Sequence, residues 1–270
     1  MAGKEKKEAR QVEHIEERST PRTPVIYEIV RRYGEEEMER PATSLFWSGL
    51  AAGLSMSFSL LAMALLEMHL PDAPWRTLVR SLGYPVGFLM VVLGRQQLFT
   101  ENTITVVLPV IAEPSRRNFW CAGRMWSIVL LANLAGTLFA ALFCTFTPVL
   151  DPDVRVAMMS IARESLDHDA LGLFFRGISA GFLMAAMVWL IPASSGAQFQ
   201  IVAVMTYLIS LSGAAHIVAG SVETFLLVAG GAMGIGQMLG SFTAPVLVGN
   251  IVGGTALFAL LSYAQVMKEI

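Results

Sequence analysis

Charge is what this sequence has least of. Between Gly177 and Met267 a single residue, Glu223, carries one. Over all 270 residues only 15% are Asp, Glu, Lys or Arg, against about 25% in soluble domains. So long a stretch without charge cannot hide inside a soluble core, which points to a membrane protein. Cysteine is scarce as well. Cys121 and Cys144 fall in one expected helix, separated by about 35 Å at 1.5 Å per residue, too far apart to bridge. They read as buried thiols. There is no Cys/His pattern at metal spacing, no phosphate loop, no Rossmann glycine pattern and no Ser-His-Asp order. No enzyme chemistry, metal, cofactor or nucleic-acid partner is therefore expected. No apolar run begins near Met1, so no cleaved signal is expected and the first span would direct insertion.

What the chain does contain is apolar sequence in long runs, 54% of the total, behind a charged beginning. The first 43 residues hold nine of the 19 Lys and Arg. Residues 1–22 read as solvated and disordered or loosely helical. Thr23 and Pro24 read as the N-cap and first position of an amphipathic helix. Val25, Ile26, Ile29, Val30 and Tyr33 share one face of it, suited to the membrane surface or a neighbouring subunit. EEEMERP closes that helix. Residues 1–43 thus form a cytoplasmic charged segment, and 44–267 a transmembrane domain.

Six spans are expected, at about 45–66, 81–112, 119–146, 171–191, 199–229 and 244–267, each long enough for a ~30 Å hydrocarbon core. Polar loops separate them: DPDVRVAMMSIARESLDHD before the fourth, PASSGAQ before the fifth and the glycine-rich GGAMGIGQMLGSFT before the sixth. Arg116 and Arg117 join the N-terminal cations on one side, whereas Arg76, Arg80, Arg155 and Arg163 divide between the opposite loops. The positive-inside rule then places both termini in the cytoplasm.

Two blocks repeat. FWSGLAAGLSM from Phe46 is echoed 128 residues later by FFRGISAGFLM from Phe174. ANLAGTLFA around Asn133 is echoed by GNIVGGTALFA around Asn250. With three spans per copy (about 44–150 and 171–267) the second copy enters from the opposite side. Such inverted repeats mark channels and transporters with a site near the membrane midplane.

The second span of each copy is interrupted, by RQQLFTEN in one and SLSGAAH in the other. Non-helical backbone at that depth survives only within protein or along a watery cavity. Paired breaks are therefore the best sequence pointer to a transport site, and the half-helix N-termini facing the centre favour an anion. His216 falls at the second break. An intramembrane ionisable residue is a functional candidate, although a neutral histidine bonded inside the bundle would serve structure alone.

LFTENTITVV, SGAAHIVAGSV and VLVGNIVGG together resemble the formate/nitrite transporter family over residues 43–263. The resemblance implies an all-α protomer of six helices in an aquaporin-like inverted 3+3 repeat, assembled as a homo-pentamer in the inner membrane. It implies a pore in each protomer for a small monovalent anion or its conjugate weak acid. Leu98, Phe99 and Thr100 match the first-break loop and its constriction, His216 the central histidine, and Phe88 and Ile209 the remaining constriction. The chain departs from the family at Ala185 and Gly220, where asparagines are usual, at Ala215, where an acid is usual, and at SLDHDAL, where a vestibule lysine is usual. His216 would then have fewer partners, sit neutral at rest and gain charge as an anion approaches, so that transport rises as external pH falls.

Arg95 is an addition, placed by the spans on the cytoplasm-distant half of span 2. It reads either as an ion-pair partner of Glu101 or Glu223 or as a replacement cation near the pore. Arg124 and Arg176 read as snorkelling from span ends. Two alternatives stand beside the anion pathway: a transport-inactive membrane scaffold and a pore for a small neutral solute.

Overall fold

The computed structural model describes residues 21–194 and 196–270, and the elements in them are helical. They are α1 Thr23–Glu39, α2 Ala42–His69, α3 Arg76–Leu93, α4 Phe99–Ala112, α5 Arg116–Phe146, α6 Pro152–Ser165, α7 Ala170–Leu190, α8 Gln198–Leu211, α9 Ile217–Ala229 and α10 Ile235–Val266. Five of these (α2, α3, α5, α7 and α10) are long and apolar enough to cross a membrane; α4, α8 and α9 are shorter apolar helices. Most of the expected disordered N-terminal stretch lies outside the described residues.

The repeated glycines build the bundle. Helix α2 packs along α5, and α7 along α10, with no room between the backbones. A Cβ on Gly53 would lie 2.2 Å from the Asn133 carbonyl oxygen, and one on Gly181 2.2 Å from that of Asn250. Small residues allow this approach, which lets membrane helices gain van der Waals contact without a hydrophobic drive. The small positions at Gly49, Gly177, Gly249 and Gly253 also meet neighbours of the same protomer.

The two halves run in opposite senses. The start of α3 (Thr77, Arg80) shares a cavity with the end of α8 (Ser210, Leu211), the middle of α9 (Glu223) and the α6–α7 connection. The end of α7 (Val188, Ile191) and the start of α8 (Gln198) instead share a cavity with Glu37 of α1. So α3 descends from one face and α8 from the other, and α4 and α9 carry each passage onward.

Four sequence expectations change. Thr23 is already helical; Arg22 is the cap residue, without a side-chain bond. The buried stripe of α1 is Ile26, Tyr27, Val30, Gly34 and Met38, whereas Val25 and Tyr33 are exposed. It packs on the chain's own bundle, with Gly34 against the Thr105 carbonyl and Tyr27 beside Tyr263 at 6.1 Å. The helix ends within EEEMERP as expected, at Glu39, with Arg40 as its cap. The loop before α7 contains α6, whose Val154, Ala157, Met158 and Ile161 recur at helical spacing and are buried. Helix α10 starts at Ile235, taking up half of the expected glycine loop by widening two of its turns, at Met238–Thr243 and Val252–Ala259.

Candidate functional site

The two breaks match bond for bond. After α3, Gly94 N–H donates to Met90 O, Arg95 N–H to Val92 O and Gln96 N–H to Val91 O. After α8, Ser212 N–H donates to Leu208 O, Gly213 N–H to Ser210 O and Ala214 N–H to Ile209 O. Arg95 and Gly213 occupy the same position with positive φ, 51° and 65°. This left-handed residue ends a helix most easily as glycine, so the first break holds an arginine where the second holds the residue the backbone prefers.

The repeated asparagines clamp the backbone on either side of each break. Asn133 Oδ1 accepts from Phe99 N–H at 2.9 Å, while its Nδ2 donates to Gly49 O and Gln97 O at 2.8 and 2.9 Å. Asn250 Oδ1 accepts from Ile217 N–H at 2.9 Å, while its Nδ2 donates to Gly177 O and Ala215 O at 2.8 and 2.9 Å. Each amide satisfies groups that a break leaves open inside an apolar bundle. The first N–H of α4 and of α9 is thereby occupied by protein, which trims the dipole field expected at the centre.

Leu98 and His216 are the equivalent cap residues, at φ/ψ of −112°/126° and −105°/126°. His216 Nδ1 accepts from Ala219 N–H at 3.2 Å, since an amide can only donate. In the neutral ring the hydrogen is then on Nε2, which donates to Thr100 Oγ1 at 2.7 Å. The ring of Phe88 meets the imidazole edge-on at 5.0 Å. Leu98, Phe99, Thr100, Phe88 and Ile209 are each 0–1% exposed. The structure thus brings His216, Thr100 and Phe88 into contact and packs Leu98, Phe99 and Ile209 into the same core cluster. The departures leave their trace: Ala185 lies in a separate apolar cluster with Ile104, and Gly220 accommodates the ring of Phe242.

A cavity approaches from each side. One of about 450 Å³ ends at His216 and is lined by Arg80, Glu164, Arg176 and Glu223, among others. The other, about 200 Å³, is lined by Glu37, Arg95, Gln96, Gln97, Glu101 and Asn102. Arg95 is therefore on the side of α1, not the distant half, and is exposed. Among the described residues it makes no ion pair, and Glu223 lines the opposite cavity. The pairing with Glu223 is excluded by that geometry. Gln97, at the break, donates to Glu37 Oε2 at 2.7 Å and so ties α1 to it.

Sequence reasoning missed the walls of the larger cavity. Arg80 makes two bonds to Glu164, at 2.7 and 2.9 Å, and this guanidinium holds the Glu164 carboxyl below the usual range. Arg176 does not snorkel; its guanidinium donates to Gly213 O at 2.7 Å beside the break. Arg124 likewise donates to Met38 O and Arg40 O, fixing the α1–α2 corner. The one available signal for Arg176 was its place inside the repeated block, one residue before Gly177.

The family model of the formate/nitrite transporters matches residues 24–264. The chain belongs to the formate/nitrite transporter family. Inner membrane protein YfdC of Escherichia coli (strain K12) is 40% identical over 269 residues, covering all of this chain and 87% of the relative. Formate channel FocA of Haemophilus influenzae is 27% identical over 157 residues, 56% of this chain and 54% of that one. Two solved structures share the fold. A pentameric formate channel with formate bound matches at a TM-score of 0.70 and 20% identity, over 84% of this chain and 98% of that one. An FNT family ion channel matches at 0.73 and 21%, over 90% and 98%. The all-helical, aquaporin-like inverted repeat read from the sequence is thus the fold of this family.

Proposed function

We propose that the chain is a membrane channel or transporter that passes a small monovalent anion, or its conjugate weak acid, through each protomer. The observation that carries this reading is the His216–Thr100 bond, which joins the two broken helices between two opposed cavities. The substrate crosses at that bond. Phe88, Leu98, Phe99 and Ile209 surround it with hydrocarbon, which rejects hydrated ions by dewetting, while the imidazole and hydroxyl offer the polar contact a small acid needs. Arg95 supplies the cation of the smaller cavity. The relatives named as a formate channel and a nitrite transporter support the substrate class, and the solved pentamer supports five subunits. The assembly resides in the inner membrane with both termini, and residues 1–43, in the cytoplasm, in line with the relative named an inner membrane protein and the distribution of cations.

The deciding experiment is uptake of a panel of radiolabelled weak acids and small neutral solutes into proteoliposomes. Uptake of weak acids alone is expected. Uptake of neutral solutes instead would make the pore an unselective or neutral-solute pathway, and no uptake of any solute would leave a membrane scaffold.

A further inference from the structure

The larger cavity holds a titratable group that the His216–Thr100 site does not use. Glu223, the one charged residue between Gly177 and Met267, is 7% exposed on α9, two turns beyond His216. His216, Gly220 and Glu223 are spaced at i, i+4 and i+7, share one helix face and all line the cavity. Glu223 Oε2 is hydrogen-bonded to Ser165 Oγ of α6, and Oε1 has no hydrogen-bond partner among the described residues. Between the two titratable groups lies Phe242 of α10, so close to Gly220 that a Cβ there would be 2.3 Å from the ring. A solute following this face meets a carboxyl, then an aromatic ring, then the imidazole, over about 10 Å of helix.

The charged and titratable groups facing Glu223 are Arg80 and Tyr84 of α3, Glu67 of α2, Glu164 of α6, Asp167 and His168 of the α6–α7 connection, Arg176 of α7 and His216 itself. The cations are already engaged. Arg80 is held by Glu164 and lies 3.6 Å from Glu67, and Arg176 is held by Gly213 O. Glu223 makes no ion pair among the described residues. His216, for its part, has both ring nitrogens bonded within the protein, to Ala219 N–H and Thr100 Oγ1. An anion entering the narrow His216 end of the cavity, beside Phe242 and Ala215, would have to shed its water, a large cost for an ion and a small one for a neutral acid.

We propose that Glu223 hands a proton to the incoming anion in this cavity, so that the neutral acid passes Phe242 to His216. This rests on the reading of the protomer as a weak-acid pathway. In the step the O–H bond of the Glu223 carboxyl breaks, an O–H bond forms on the substrate oxyanion, and Glu223 is left as carboxylate. Water in the cavity returns the proton, so one proton accompanies each anion.

The test is uptake of radiolabelled formate, nitrite and acetate into proteoliposomes as external pH is lowered, for the parent, Glu223→Gln and Glu223→Asp. Glutamine can still bond Ser165 but has no proton to give. Parent uptake is expected to rise as pH falls, and Glu223→Gln to lose that rise, by roughly tenfold or more at the acid end. Glu223→Asp, a shorter acid, is expected to keep a rise with a displaced midpoint. A Glu223→Gln profile identical to the parent's overturns the assignment. If that variant fails to assemble, an unchanged midpoint in Glu223→Asp overturns it instead. A parent that moves none of the acids at any pH overturns the transport reading itself, an outcome distinct from transport whose profile ignores Glu223.

Discussion

Asn133 and Asn250 each hold three backbone groups at a break, one N–H and two carbonyls. Removing either amide leaves those groups unpaired in an apolar bundle, at about 1–3 kcal/mol per group. Asn133→Ala and Asn250→Ala are therefore expected to lower the melting temperature in detergent by similar amounts, since the two clamps are equivalent. A loss at one site only would break the symmetry argument. Arg95 makes a contrasting prediction. Glycine fits its left-handed backbone, as Gly213 shows, and relieves about 1 kcal/mol of strain. Arg95→Gly should keep or raise the melting temperature while lowering weak-acid uptake; unchanged uptake would make the cation dispensable. At this scale the sequence was half legible. The repeated asparagines and the histidine stood out, but spacing alone cannot say which carbonyls an amide reaches, nor that Arg176 folds back onto the break.

Elements were more legible than their contacts. The breaks follow from polar residues inside apolar runs, whereas the pairing of α2 with α5 and of α7 with α10 through their glycines came from the structure. Helix α6 was lost among polar residues because its buried stripe, Val154 to Ile161, spans barely two turns. Gly53→Val and Gly181→Val place side-chain carbon 2.2 Å from a carbonyl oxygen, so both should prevent assembly, read as loss of the folded species in size-exclusion chromatography. Helix α1 carries its own ladder, in which Glu28 bonds Arg31 and Arg32. These bonds hold the Glu28 carboxyl at about 2, below its ordinary 4.5. A lowered value stabilises the folded state fully above the ordinary range, and that contribution is lost as pH falls from 4.5 toward 2. Glu28→Gln should remove this increment at neutral pH, seen as easier proteolysis of α1; the side chain is partly exposed, so the effect is small.

The inverted repeat was readable for the whole molecule because an odd number of passages per copy forces opposite senses. The assembly is not readable from a single chain's contacts. Leu131, Phe139, Phe143 and Phe146 of α5 are exposed, an apolar face to be covered by lipid or by neighbouring subunits. Native mass spectrometry in mild detergent is expected to give five copies, and monomer or dimer alone would overturn that assembly. The central claim is that solute crosses where Thr100 meets His216. It is tested most directly by Thr100→Cys, similar in volume though without the branching methyl, with Cys121 and Cys144 replaced by alanine. Uptake of a radiolabelled weak acid is measured before and after a small thiol-blocking reagent, with and without excess substrate. The expected result is loss of uptake on modification and protection by substrate. Full uptake by a completely modified protein would contradict a pathway through that bond.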